Sequence, residues 1–338
     1  MTSVPAPPGF SDDASWLTQA FDRDAGLVRL VRMDSAGYRN ASFLDDRIFQ
    51  ASVETMLCNW DELAHTLSDA ARTDARWIFH VGHVGSTLIA RLIGELPRVL
   101  AVREPRLLRD LMGLERSAVG EHAAVARRFV SRTFAPDEIA LVKATSFVSE
   151  IAASLCSTSG RALFLYATPR NYIRSILAGE NSRKELAVLA GPRAERMAGR
   201  VTIDMPPSAD DAHLAAAAWA CEMTSLEASA LAMPGRSILW VDFDAILSDI
   251  VAALGRVAAH FGFTSDASTI ASIANGPLMR RYSKALEYEY SPALRRDLLD
   301  EAGRNHAREI EAALAMLHKA ARQSPLLARA LARTTTES

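Results

Sequence analysis

Short apolar runs alternate with longer stretches of helical spacing through most of this chain. Ile78, Phe79 and Val81, behind Arg76 and Trp77, have the length and β-favouring content of a buried strand. So do Val99 to Glu104, Ile139 to Ala144, Arg161 to Ala167 and Ser237 to Phe243. Helical spacing follows them. Leu88, Ile89, Leu92 and Ile93 share a stripe after the first run, Pro105 opens a helix after the second, and Arg127 to Phe134 closes another. Further helices are predicted over 148–156, from Pro169 through Arg174 and Ser175, over 209–232 and over 245–261. Strands and helices in alternation predict an α/β fold, a parallel sheet with right-handed connections and helices on both faces.

The flanks read differently. Leu27 to Met33 alternates like a strand, and 48–71 reads as a helix with Met56, Trp60, Leu63 and Leu67 on one stripe, a piece that packs beside the main sheet. Residues 1–12 are Pro-rich and polar, the composition of a loose arm. Residues 181–208, with Gly191, Pro192, Gly199, Pro206 and Pro207 among many charges, break the rhythm and read as a lid or a disordered insertion. Ser291 and Pro292 signal the start of a final helix whose stripe is Leu294, Leu298, Ile310, Leu314 and Leu317. The expected organisation is an N-terminal extension over 1–72, an α/β domain over 73–290 and C-terminal helices over 291–338 packed on that domain.

The 338 residues, 49% of them hydrophobic, suffice for one large domain or two modest ones. A net charge of −2 gives no global reason to expect nucleic acid or an anionic membrane as a partner, so any anion site must be local. Cys58, Cys156 and Cys221 are odd in number and far apart, which argues for a reduced compartment and against a metal centre or disulfide framework. The N-terminus lacks a signal-peptide pattern, and no apolar run reaches the ~18 residues of a membrane span. A soluble, cytoplasmic protein is expected.

Candidate chemistry gathers where the strands end, the place where such sheets bind ligands. The turn after the first run holds Gly82, Gly85, Ser86 and Thr87 ahead of a helix, offering backbone N–H groups, two hydroxyls and a positive helix end to an anion such as phosphate. The same spacing also suits an ordinary strand-to-helix turn. It is not a Walker A loop, because Gly85 runs directly into Ser86 and the loop has no lysine. Glu104, Lys143, Thr145, Ala167 to Arg170 and Asp242 fall at the other strand ends.

In order and kind, these motifs resemble the sulfotransferases that use 3′-phosphoadenosine 5′-phosphosulfate (PAPS), the bacterial and tyrosylprotein-type branch in particular, over roughly residues 76–290. The resemblance implies a P-loop-like α/β fold and transfer of a sulfuryl group to an acceptor hydroxyl, with no metal required. It maps His83, Val84, Gly85, Ser86 and Thr87, with Gly82 before them, onto the loop that wraps the 5′-phosphosulfate. Glu104 falls on the catalytic base and Lys143 on the family's lysine, while LFLYATPRNYIRSIL is similar to the 3′-phosphate segment, with Ser175 on its serine.

Two positions depart from the pattern. His83 stands where the family has Arg or Lys, and Ala167 where it has the first Arg of the 3′-phosphate segment. Arg170, Arg174 or the cluster of Arg280, Arg281 and Lys284 could restore that charge; otherwise the donor lacks that phosphate. In the implied chemistry, backbone amides and the hydroxyls of Ser86 and Thr87 hold the 5′-phosphate, protonated His83 and Lys143 donate to the transferring group, and Glu104 takes the acceptor's proton. Glu104 ahead of Pro105 also suits a helix N-terminus, and His83 also suits a hydrogen-bonded turn. Tyr282, Tyr288 and Tyr290 either pack or line an acceptor site. The alternatives are a nucleoside-triphosphate-dependent kinase, for which Asp242 and Asp244 would supply the carboxylates, and a catalytically lapsed nucleotide-binding protein. The acceptor class stays open between small molecule, glycan and peptide.

Overall fold

The chain folds from a small antiparallel sheet into a larger parallel one. The computed structural model describes residues 3–11, 13–50, 52–68, 70–284 and 289–335. Strands β1 (Trp16–Asp22), β2 (Leu27–Arg32) and β3 (Thr55–Asn59) pair antiparallel in that order. Thus the strand read at 27–33 belongs to a separate sheet and does not extend the main one. The helix expected over 48–71 is corrected too. A 3-10 turn at Asp46–Gln50 and then β3 precede a helix that covers only Trp60–Thr66. Cys58 and Met56 pair across from Val28 and Leu30, so cross-strand packing overrides the helical spacing of Met56 and Trp60. The helix starts where Asn59 caps it, its side chain accepting from the Asp61 amide at 2.9 Å.

The arm is not loose over its described part. The Val4 amide donates to the Leu57 carbonyl at 2.8 Å, and Phe10 is buried edge-on against Phe129 beneath the Arg132 guanidinium.

β4 (Arg76–His80), β5 (Val99–Arg103), β6 (Ile139–Lys143), β7 (Arg161–Tyr166) and β8 (Ser237–Asp242) form a five-stranded parallel sheet in the order β5-β6-β4-β7-β8. The α/β class is therefore as expected. β4 is the middle strand, and its Trp77, Ile78 and Phe79 are wholly buried, as continuous apolar runs in two-faced parallel sheets require. Packed around the sheet are α1 (Ser86–Gly94), α2 (Arg116–Val130), α3 (Pro169–Leu177), α4 (Glu180–Val188), α5 (Ala190–Met197), α6 (Asp211–Leu231), α7 (Phe243–Ser248) and α8 (Ile250–Phe261). A helical C-terminal part, α9 (Pro292–Asn305), α10 (Ala307–Ala321) and α11 (Pro325–Thr335), completes the fold.

Three expected elements differ in detail. Residues 181–208 contain most of α4 and all of α5, because Gly191 and Pro192 sit in the first turn of α5, where proline's missing N–H breaks no helical bond. Buried Glu222 of α6 binds Arg196 of α5 through two hydrogen bonds of 2.8 and 2.9 Å, which ties the segment down. The helix over 245–261 is interrupted at Asp249, whose side chain caps α8 through the Ala252 amide, and 148–156 begins in a 3-10 turn. The single final helix is three helices, and α11 is anchored by Arg333 and Arg329 on the buried carboxylate of Glu227 in α6, at 2.7 and 3.3 Å. Among the described residues no helix is long and apolar enough to cross a membrane.

Candidate functional site

At the end of β4 the chain turns into a loop whose shape is fixed from behind. Buried His80 donates from Nε2 to the Ala144 carbonyl at 3.0 Å, and its Nδ1 accepts the Gly82 amide at 2.9 Å. Those two bonds define a neutral tautomer, and burial, helped by nearby Lys143, pushes its pKa well down. Gly82, His83 and Gly85 then take left-handed φ values of 81°, 53° and 60°. For His83 that conformation costs about 1–3 kcal/mol, a strain that accumulates at functional sites.

The consequence is a set of open donors. Among the described residues, no backbone or side-chain acceptor takes the amides of His83, Val84, Gly85, Ser86 or Thr87, and Gly85 gives α1 no side-chain cap. The Thr87 hydroxyl is buried without a partner. Buried polar groups are nearly always satisfied, so the Thr87 hydroxyl stands out, and open amides at a helix start have the chemistry that suits an anion. Phe243, at the start of α7, closes the loop from above: a Cβ on Gly85 would lie 2.0 Å from its ring.

Lys143 ends β6 and Glu104 follows Arg103, the last residue of neighbouring β5, with which Lys143 is in register. Glu104 also adopts a left-handed φ, 51°, with its amide on the Lys143 carbonyl at 2.7 Å. This twist turns the carboxylate onto the Lys143 ammonium, which donates to Glu104 Oε1. Burial lowers the Lys143 pKa, and Glu104 opposes the shift. Glu104 Oε2 lies 4.0 Å from Arg47, whose guanidinium stacks on Phe43 at 3.4 Å from the ring centre.

The loop and this pair face one cleft of about 630 Å³. Because β4 is the middle strand, the cleft has two ends. Toward β5 and β6 it is lined by Glu104, Lys143, Phe43, Arg47, Arg109 and Phe147. Toward β7 and β8 it is lined by Ser175 of α3, Phe243, Tyr290, and Leu294, Arg295 and Leu298 of α9. Gly82, His83, Val84, Gly85, Ser86, Thr87, Arg281 and Lys284 line it as well. Arg91 of α1 holds two of its walls, donating to the carbonyls of Ser283 and Asn40 at 3.1 and 3.2 Å.

Two predicted arginines are not brought in. Arg170 pairs with Glu311 of α10 at 2.6 Å, and Arg174 packs against Gly303 of α9 with Asp300 3.9 Å away, so the C-terminal helices draw both guanidiniums off the cleft. Ala167 presents only its carbonyl, which accepts from Trp219 Nε1 at 2.9 Å. Asp242 caps α7 through the Asp244 amide at 2.7 Å, and Asp244 binds Asn171 and Arg295 at 2.9 and 3.0 Å. Tyr282 lines the cleft mouth, and Tyr288 lies outside the described residues.

Sequence reasoning missed several groups and left Tyr290 open between packing and lining an acceptor site. Tyr290 Oη and Arg295 Nη2 are buried without partners on the β7–β8 side, Arg295 over the Phe243 ring. Burial pushes the Tyr290 phenol up to about 12. On α4, Glu185 lies 3.8 Å from His83 Nε2, and Ser182 Oγ lies 3.4 Å from His83 Nδ1. His83 holds the Glu185 carboxylate below its usual pKa. The one signal for Glu185 was charge within the segment read as a lid.

No family model matches the chain, and no curated relative does. Among solved structures it is similar to the sulfotransferase domain from the curacin biosynthetic pathway, at 11% identity and a TM-score of 0.44 over 68% of this chain and 89% of that one. It is also similar to mouse sulfotransferase SULT7A1 complexed with PAP, at 12% identity and a TM-score of 0.40 over 77% and 89% of the two chains. Neither likeness says what this chain binds or transfers; its own residues bear on that.

Gly85→Ala is expected to destabilise the fold by about 2 kcal/mol or more, from left-handed strain plus overpacking against Phe243. Denaturant unfolding of Gly85→Ala, Phe243→Ala and the double variant checks this: the clash share should vanish in the double, and strict additivity would contradict the contact. Glu185 gives a pH test. Its pKa is lowered in the fold, so its contribution is complete above the ordinary glutamate value of about 4.3 and disappears as pH falls through the lower folded value. The side chain is half-exposed, so Glu185→Gln should cost no more than about 1 kcal/mol near pH 5.5, with the gap closing as the pH falls below the ordinary glutamate range. A gap that does not shrink on acidification would rule the ion pair out.

Proposed function

We propose that the loop 82–87 binds the phosphosulfate end of PAPS and that the chain transfers its sulfuryl group to an acceptor hydroxyl. One observation carries this reading: unspent amides and a buried, partnerless Thr87 hydroxyl at the start of α1 share a cleft with a lysine–glutamate pair. A strongly anionic ligand suits the first feature, and a hydroxyl that must lose a proton suits the second.

The residues present fit such a donor. Tyr290 Oη and Arg295 Nη2, buried and unpartnered, with exposed Arg281 and Lys284, suit a second anionic group at the β7–β8 end, where Ala167 brings no charge. Ser175 lines the same end. Asp242 and Asp244 are engaged as a helix cap and as the partner of Asn171 and Arg295, which favours this donor over a magnesium-bound triphosphate. The donor supplies an activated sulfuryl group: its S–O bond to the bridging phosphate oxygen breaks as one to the acceptor oxygen forms.

The side chains do the rest. Glu104 accepts the hydroxyl proton on its carboxylate, a step worth about 10² to 10⁴ in rate. Its left-handed backbone and the Lys143 ammonium fix that carboxylate before the acceptor arrives. As Glu104 gains the proton its hold on Lys143 loosens, and the ammonium can face charge developing in the cleft. His83 offers a further donor from the loop, with its ring set by Ser182 and Glu185. Helix α4 borders the cleft through Ser182 and Glu185, with Leu189 just past its end, which suits the lid role and acceptor selection.

Calorimetric titration with adenosine 3′,5′-bisphosphate tests the reading. Wild-type protein should bind it with micromolar affinity, and Thr87→Val should weaken binding about tenfold, the worth of one hydrogen bond to a charged group. Glu104→Gln should keep that affinity and lower turnover by about 10² to 10⁴. Binding of ATP with magnesium alone, or full turnover in Glu104→Gln, would contradict it.

A further inference from the structure

The cleft does not stop at Glu104. Arg109 lies on the short helix Arg106–Asp110 that follows Glu104 and Pro105. It lines the cleft, a neighbouring cavity of about 390 Å³ with Asp45, Asp46, Arg47, Phe49 and Gln50, and a third of about 860 Å³ along β1 and β2. One guanidinium therefore stands where three concave spaces meet, on the side where Glu104 opens.

The neighbouring charges along this track are matched. Arg47 grips Asp45 through contacts of 2.7 and 2.5 Å. Arg29 meets Asp46 at 2.7 Å, and Arg106 meets Asp46 at 2.7 Å and Asp110 at 3.2 Å. Arg109, by contrast, makes no hydrogen bond or ion pair with any described residue. Four guanidiniums, Arg29, Arg47, Arg106 and Arg109, face three carboxylates, Asp45, Asp46 and Asp110, and Arg109, which attracts Asp45 without touching it, is the one left without a direct contact. A guanidinium recognises carboxylate, sulfonate or phosphate through a two-pronged fork, and a concave wall strengthens that attraction relative to open water.

We infer that the acceptor carries an anionic group besides its reacting hydroxyl and that Arg109 binds this group. The inference rests on the proposed reading of Glu104 as the residue that meets the hydroxyl. Phe43 and Phe147 line the same end of the cleft, so an apolar or aromatic body joins the two groups. The acceptor class is thus a hydroxy acid, with the acid lying past Glu104 toward the cavity lined by Asp45 and Gln50.

The test uses the full chain loaded with adenosine 3′,5′-bisphosphate, so that no turnover is required. Calorimetry compares a panel of phenolic and benzylic hydroxy acids, among them 4-hydroxyphenylacetate, with the neutral amide of each. Wild type should bind members of the acid series about tenfold or more tightly than their amides, the worth of one charge-assisted hydrogen bond. Arg109→Gln should bring the ratio close to one, and Arg109→Lys should keep part of it. Sulfonate and phosphate analogues of the same phenols separate the anion types. Equal affinity for acids and amides in wild type, or a preference that survives Arg109→Gln, overturns the proposal. Failure of wild type to bind the bisphosphate is a different result, and it would strike the donor reading instead.

Discussion

The structure depends on a loop that must hold its own amides away from the rest of the protein. Five consecutive residues, His83 to Thr87, sit at the end of the central strand with their N–H groups untaken by any described residue. The buried, partnerless Thr87 hydroxyl costs about 1–3 kcal/mol, and the left-handed backbone of His83 adds a similar amount. Left alone, such a segment would relax. It is held by β4, whose Trp77, Ile78 and Phe79 are wholly buried, by His80 bonded to Ala144 and Gly82, and by Phe243 pressed over Gly85. Burial of three large apolar side chains supplies several kcal/mol toward holding the strained turn in place.

Placing that loop on the middle strand gives the site its two ends. The neighbours on one side, β6 and β5, finish in Lys143 and Glu104, and those on the other, β7 and β8, lead into α3 and α7. The loop therefore has the Lys143–Glu104 ion pair on one hand and buried, unpartnered polar atoms on the other. Backbone strain follows the same geography. Of the three described non-glycine residues with positive φ, His83 and Glu104 line the cleft, and only Arg98 lies outside it.

Much of this was readable in advance because it is local. The strands of the parallel sheet announced themselves as apolar runs, and Gly82, Gly85, Ser86 and Thr87 marked the turn. Glu104 and Lys143 were each visible as a charge at a strand end, although their pairing needed adjacent strands in parallel register. The misreadings came where tertiary packing overrode local pattern. β3 hid inside helical spacing at 55–59 because its partners on β2 lie far away in sequence. The charges of α4 and α5 looked like a loop because Glu222, which neutralises Arg196, sits on α6. Arg170 and Arg174 had the right spacing for the site, but C-terminal helices no local pattern could place carried their partners. Arg295 and Arg109 gave no motif, and Tyr290 stayed open between packing and lining a site, since being buried without a partner or unpaired is a property of the folded chain alone.

The most direct measurement follows backbone amide resonances of isotopically labelled protein by NMR as adenosine 3′,5′-bisphosphate is added. If the loop grips the anion, the amides of His83 to Thr87 move first and furthest, downfield as they donate to it. Large shifts confined to other segments, with these five amides unmoved at saturation, would contradict that binding mode.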